Sequence, residues 1–121
     1  MATTVYKVLA QTGSSGSTGN GSATLTAVTN TNLYTVPSAT SAILSTIIIC
    51  NQASAAATYR IAIRPAGAAV ATQHWIVYGA TVAASDSTAL TLGITLATTD
   101  VVTVYASAAT MSFSLYGTEL S

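Results

Sequence analysis

His74 and Cys50 are the only imidazole and the only thiol in the chain, and Asp86, Asp100 and Glu119 are its only side-chain carboxylates. Most side-chain chemistry would have to be assembled from these five groups and from hydroxyls. A structural or catalytic zinc site draws on several His, Cys or carboxylate ligands at short, recognisable spacings, and no pair of these residues has such a spacing. A Ser-His-Asp triad is compatible with the composition, yet no serine lies in a Gly-x-Ser-x-Gly elbow. Asp86 and Asp100 resemble the paired carboxylates of a glycosidase only in number. Each is flanked by Ser or Thr in a turn-like stretch, where an aspartate ordinarily caps backbone amides. The segment GSSGSTGNG within 12–22 has the glycine content of a phosphate loop, but it lacks the following lysine and no helical pattern succeeds it. Neither an enzyme nor a metal or cofactor site is expected.

The remaining candidates are for contact. Arg60 and Arg64 fall on one face of a strand, about 13 Å apart at roughly 3.3 Å per residue, and suit pairing with carboxylates or carbonyls of a neighbouring subunit. Trp75, Tyr78 and Tyr59 offer ring surface for packing or for stacking a sugar. The expected interface residues are Arg60, Arg64, His74, Trp75 and Tyr78. The asparagine of Asn20-Gly21-Ser22 fits a glycosylation pattern, which has no meaning without export.

These side chains sit in an unusual background. Lys and Arg number three and Asp and Glu three in 121 residues, and half the residues are apolar, whereas about a quarter of a typical soluble domain is charged. Balanced, sparse charge excludes the basic stripe that tracks nucleic acid phosphates. No apolar run approaches the roughly 20 residues that cross a bilayer as a helix, and the opening MATTVYKVLAQ has no secretory pattern. A neutral surface of this kind invites association unless neighbours already cover it. The expectation is a subunit of an assembly, with a product that stays where it is made.

Alternation of β-branched residues dominates, so the elements that must position these side chains are strands. A first strand is expected over 3–10, and then a Gly/Ser segment over 12–22 that stays flexible or lies as an extended arm. A strand follows at 23–28, and a brief one at 33–37 ends at Pro37. Segment 41–51 is apolar on both faces, with Ile43, Ser45, Ile47 and Ile49 on one and Leu44, Thr46, Ile48 and Cys50 on the other. It is expected to be central, with Cys50 buried. Tyr59, Ile61 and Ile63 alternate with Arg60, Ala62 and Arg64 before the turn Pro65-Ala66-Gly67. Further strands are expected over 70–79, around Leu90 and Leu92 before Gly93, and over 101–107, where Val102 and Val104 oppose Val101, Thr103 and Tyr105. The last has Met111, Phe113 and Leu115 inward and releases its tail at Gly117. Seven to nine short strands, with turns about every 8 to 12 residues, describe an all-β antiparallel sandwich, jelly-roll or immunoglobulin-like. The division expected is an N-terminal strand and arm over 1–22 and a sandwich over 23–121.

The stretches LYTVPSATSAILSTIIICNQ, RIAIRPAG and LTLGITLATTDVVTVYASAATMSFSLYGTELS, together with the opening KVLAQ, resemble a group of small virion structural proteins of tailed bacteriophages, especially cyanophages. The likeness runs from Leu33 to the C-terminus, and the Gly/Ser segment over 12–22 departs from it. It implies a β-sandwich subunit of a phage particle without catalytic residues. Such a subunit is a capsid decoration or cement protein, expected here as a homotrimer on the major capsid protein, or a neck, tail or fibre component. In the second case Trp75 and Tyr78 would meet a host glycan.

Overall fold

The structure is a computed structural model and describes residues 3–121. Nine strands account for most of it: β1 Thr4–Gly13, β2 Gly16–Gly19, β3 Thr31–Thr35, β4 Ser41–Asn51, β5 Ala57–Arg64, β6 Trp75–Val82, β7 Ser87–Leu96, β8 Val101–Ala106 and β9 Met111–Leu120. They form two antiparallel sheets, five strands in the order β2-β1-β9-β4-β7 and four in the order β3-β8-β5-β6. Only β1–β2 and β5–β6 are hairpins within a sheet; every other connection passes from one sheet to the other. With β2 set aside, four strands face four in a jelly roll, and this decides between the two sandwich types expected.

The core is the space between the sheets. Leu44, Ile47 and Ile49 of β4 and Met111, Phe113 and Leu115 of β9 point into it from one side, and Tyr34, Tyr59, Ile61, Val102 and Val104 from the other. The rings of Tyr59 and Phe113 meet edge to face across the gap, their centres 6.4 Å apart. Burying side chains of this size contributes about 1.5–3 kcal/mol each.

Several expectations are corrected. The Gly/Ser segment is a folded hairpin, not an arm: Gly13 pairs with Gly16 around Ser14 and Ser15, and β1 itself is zipped along β9. Hydrogen bonds offset the backbone entropy that its glycines and serines lose. The buried hydroxyl of Thr12 donates to the Ala23 carbonyl at 2.6 Å, the Thr35 amide donates to the Asn20 carbonyl at 2.8 Å, and the Asn20 side-chain amide donates to the Thr35 carbonyl at 2.7 Å. With Leu9, Ala10 and Thr12 all buried, the N-terminal segment from Thr4 onward is part of the sandwich rather than an appendage to it. Residues 1 and 2 lie outside the described part. Segment 22–26 is irregular and not a strand, although Leu25 is buried and its amide donates to the Gly13 carbonyl.

In β4 the two faces are not both covered. A bulge at Ser45 shifts the register against β9 between Leu44 and Thr46, so Ala42 and Leu44 before it and Ile47 and Ile49 after it all turn inward. Ile43 and Cys50 fall on the outward side, Ile43 40% exposed and Cys50 only half-buried. Gly117 does not release the tail either. It lies inside β9, paired with Leu44 on one side and Lys7 on the other. The strand expected over 70–79 begins only at Trp75, because Thr72–His74 form a 3₁₀ turn, and β7 continues past Gly93, with a bulge against β4 at Leu92–Gly93.

Candidate functional site

β5 lies between β8 and β6, and Arg60 is in register with Tyr105 on one side and Tyr78 on the other. Directly opposed residues in an antiparallel sheet share a face, so the three side chains form a row on the outer face of the four-stranded sheet. The guanidinium carbon of Arg60 is 4.1 Å from the centre of the Tyr78 ring and 4.3 Å from that of Tyr105. These are cation–π distances on both sides of one cation.

Trp75 joins the row by virtue of a bulge. It lies three positions before Tyr78, a spacing that in a regular strand puts the two on opposite faces. β6 shifts register between Ile61 and Ala62 of its partner, leaving Ile76 unopposed, so Trp75 stands opposite Ala62 and on the same face as Tyr78. Their rings meet edge to face, with centres 5.3 Å apart. A second shift between Tyr59 and Arg60 falls at Gly79, whose φ of 83° is one that glycine adopts without strain.

Of the five residues expected at an interface, the structure thus brings Arg60, Trp75 and Tyr78 together. Arg64 lies on the same face one pair beyond Ala62, opposite Val101, and its Nε is buried without a hydrogen-bond partner. His74 is used locally: its Nδ1 accepts the Ala71 amide at 3.1 Å and closes the 3₁₀ turn that leads into β6. Tyr59, the third aromatic considered, belongs to the core. Tyr105 was missed as a partner of Arg60, since its face was legible but the adjacency of β8 and β5 was not.

The carboxylates are committed elsewhere. Asp100 accepts the Ala66 amide at 2.8 Å with one oxygen and the Ala97 amide at 2.9 Å with the other, and so ties two turns together. Asp86 accepts the amide of Ser87 at 2.8 Å. Glu119 pairs with Lys7 at 3.0 Å, the one ion pair among the described residues. Neither arginine therefore meets a carboxylate of its own chain.

A concavity lies on the other sheet, between the β1–β2 hairpin and the turn into β9. It is an open groove of about 580 Å³ lined by uncharged residues, mainly hydroxyls and amides. The Gln11 amide donates to the Ser114 hydroxyl at 3.3 Å and the Gln52 amide to the Ser112 hydroxyl at 3.4 Å, so part of its hydrogen-bonding capacity is used internally.

No protein-family model and no curated protein matches the chain. Among solved structures it is similar to a chain in the structure of infectious bursal disease virus Gx strain, at 13% identity and a TM-score of 0.41. That match covers 99% of this chain and 31% of the other, so the present chain spans about a third of the viral chain's length. A likeness at this level places the chain in no family.

Proposed function

We propose that the chain is a virion structural subunit, a decoration or cement protein that packs against copies of itself and against the capsid. The observation that carries this reading is the outer face of the five-stranded sheet, on which no charged side chain falls. Lys7 and Glu119 turn toward the interior at the end of the sandwich, Arg60 and Arg64 are on the other sheet, and Asp86 and Asp100 are in loops. What the face presents is Tyr6, 82% exposed, with Val8, Ile43 and a field of threonine and serine. Such a face docks on another neutral face without stripping water from an ion.

One sheet edge adds to the argument. β2 has four residues and β3 five, and β6 is broken by two bulges, all devices that discourage pairing with a further strand. β7 is ten residues long, holds neither proline nor charge, has a single bulge at Leu92–Gly93, and is paired only to β4. A neighbouring copy can add to or cover this edge. Assembly through both surfaces would raise the free energy needed to rupture a shell, because the bound state is stabilised by mass action.

Light scattering on the purified protein tests this, with Ile43→Lys as the probe. The wild type is expected to be an oligomer, a trimer in the favoured arrangement, and to bind empty capsids. Ile43→Lys, at an outward position, is expected to keep its melting temperature and to dissociate. A wild type that is monomeric and ignores capsids refutes the proposal.

A further inference from the structure

We propose that the row Tyr105–Arg60–Tyr78–Trp75 is a binding site for an acidic sugar, a pyranose bearing a carboxylate or a sulfate. A guanidinium uses its two flat faces for stacking and its in-plane N–H groups for hydrogen bonds. Tyr78 and Tyr105 flank the guanidinium of Arg60, its carbon 4.1 and 4.3 Å from their ring centres, which holds the group in place and leaves its N–H groups for an acceptor from outside. The three carboxylates of the chain are engaged with Lys7, Tyr34 or backbone amides, so that acceptor is not internal. Charge-assisted contacts of arginine with carboxylate or sulfate oxygens are bidentate and directional, and they suit a single anionic group.

The rest of the site favours a sugar over an acidic peptide. Tyr78 is 63% exposed and Trp75 half-buried, their ring planes 77° apart, and the C–H face of a pyranose can lie on the ring surface they leave open. The strand edge beside the row is that of β6, whose two bulges interrupt the regular main-chain pairing that an extended peptide needs. Arg64, on the same face two residues beyond Ala62, supplies a second cation for the next acidic unit of a polymer. The two bulges of β6 also acquire a purpose: without the one at Ile76, Trp75 would point into the sandwich. The site lies on the sheet opposite the uncharged face, so it remains open whether or not that face is covered, and binding is read independently of assembly.

Trp75 is the only tryptophan, so its fluorescence reports on this site alone. The full chain is titrated with an oligogalacturonate, a sulfated dextran oligosaccharide, maltotetraose and a hexaglutamate peptide. A saturable change in emission is expected with at least one of the two acidic sugars, and which of them responds identifies the anionic group. Maltotetraose and hexaglutamate are expected to bind about tenfold more weakly or less. Arg60→Gln should lose about tenfold or more in affinity for the acidic sugar, the worth of a charge-assisted hydrogen bond. Tyr78→Ala, at an exposed position, gives the same reading if Arg60→Gln fails to fold. No response to either acidic sugar, equal binding of the peptide or of the neutral sugar, or unchanged affinity in a folded Arg60→Gln or Tyr78→Ala overturns the proposal.

Discussion

The phenol of Tyr34 in β3 crosses the sandwich and donates its hydrogen to the carboxylate of Glu119 in β9, tying the two sheets together at one end. Lys7 of β1 completes the group from the adjacent strand. Burial raises the carboxyl of Glu119, but the hydrogen bonds from Tyr34 and Lys7, with the charge of Lys7, outweigh it and hold Glu119 below its ordinary 4.5. Tyr34 is pushed well above its ordinary 10.0, by burial first and then by its bond to Glu119 and that residue's charge.

The two shifts limit stability from opposite sides. Glu119 is depressed in the folded state, so its contribution is present above pH 4.5 and is lost as pH falls through the lower folded value. Tyr34 is raised, so its contribution is full below pH 10.0 and is lost as pH climbs toward the folded value. Tyr59, raised by burial, acts in the same alkaline direction. Tyr34→Phe should therefore cost about 1.5–3 kcal/mol at neutral pH, the worth of a hydrogen bond to a charged group, and flatten part of the alkaline decline. Glu119→Gln should remove its share of the acid decline. Urea midpoints between about pH 3 and about pH 11 measure both; a Tyr34→Phe variant as stable as wild type at neutral pH contradicts the assignment.

Gly117 sits between β1 and β4 at the level of the Ser45 bulge. A β-carbon there would be driven into the Ile43 carbonyl oxygen and would press on Leu9 at 3.0 Å. The partner atom is backbone, so relief requires the strands to part. Gly117→Ala should cost about 1–3 kcal/mol, the range for overpacking, seen as a lower urea midpoint with the same slope. An unchanged midpoint would mean that the strands shift freely at this point.

Val28 holds a left-handed backbone at φ 55°, rare for a β-branched residue, while 65% of its surface is exposed and its amide donates to the Ala106 carbonyl. Asparagine tolerates this conformation, and little packing is lost by the exchange. Val28→Asn is expected to stabilise the fold by about 1 kcal/mol, which raises the melting temperature by a few degrees. A lower melting temperature would show that the valine side chain has a contact worth more than its strain.

Alternation alone located β4, β5, β8 and β9, and the inward faces of β5 and β9 followed from it, because each keeps its period of two. It went astray wherever the period breaks. In β4 the bulge at Ser45 is enabled by the missing side chain of Gly117, which is far away in sequence, so Ile43 and Ile47 seemed to share a face. In β6 the odd spacing of Trp75 and Tyr78 is reconciled only by the bulge at Ile76. The contact of Arg60 with Tyr105 depends on strand order, and the pleat of a single strand carries no trace of its neighbours. The Gly/Ser hairpin escaped notice because its stability rests on hydrogen bonds to Ala23 and Thr35, not on apolar periodicity.

That hairpin gives the sharpest contrast between an appended arm and an integral strand. Deleting residues 12–22 from an arm would leave the sandwich intact. Here it removes the end of β1, all of β2 and the buried Thr12 hydroxyl, and it strips the Thr35 amide of its acceptor and the Ala23 carbonyl of its donor. Water can reach the groups freed at Ala23 and Thr35, but buried Leu25, whose amide is held by the Gly13 carbonyl, loses its anchor. The deletion is therefore expected to lower the urea midpoint strongly or to abolish cooperative unfolding. Ser17→Ala, which removes one half-buried hydroxyl, should change the midpoint by no more than about 0.5 kcal/mol equivalent. A deletion variant that melts like the wild type would restore the arm.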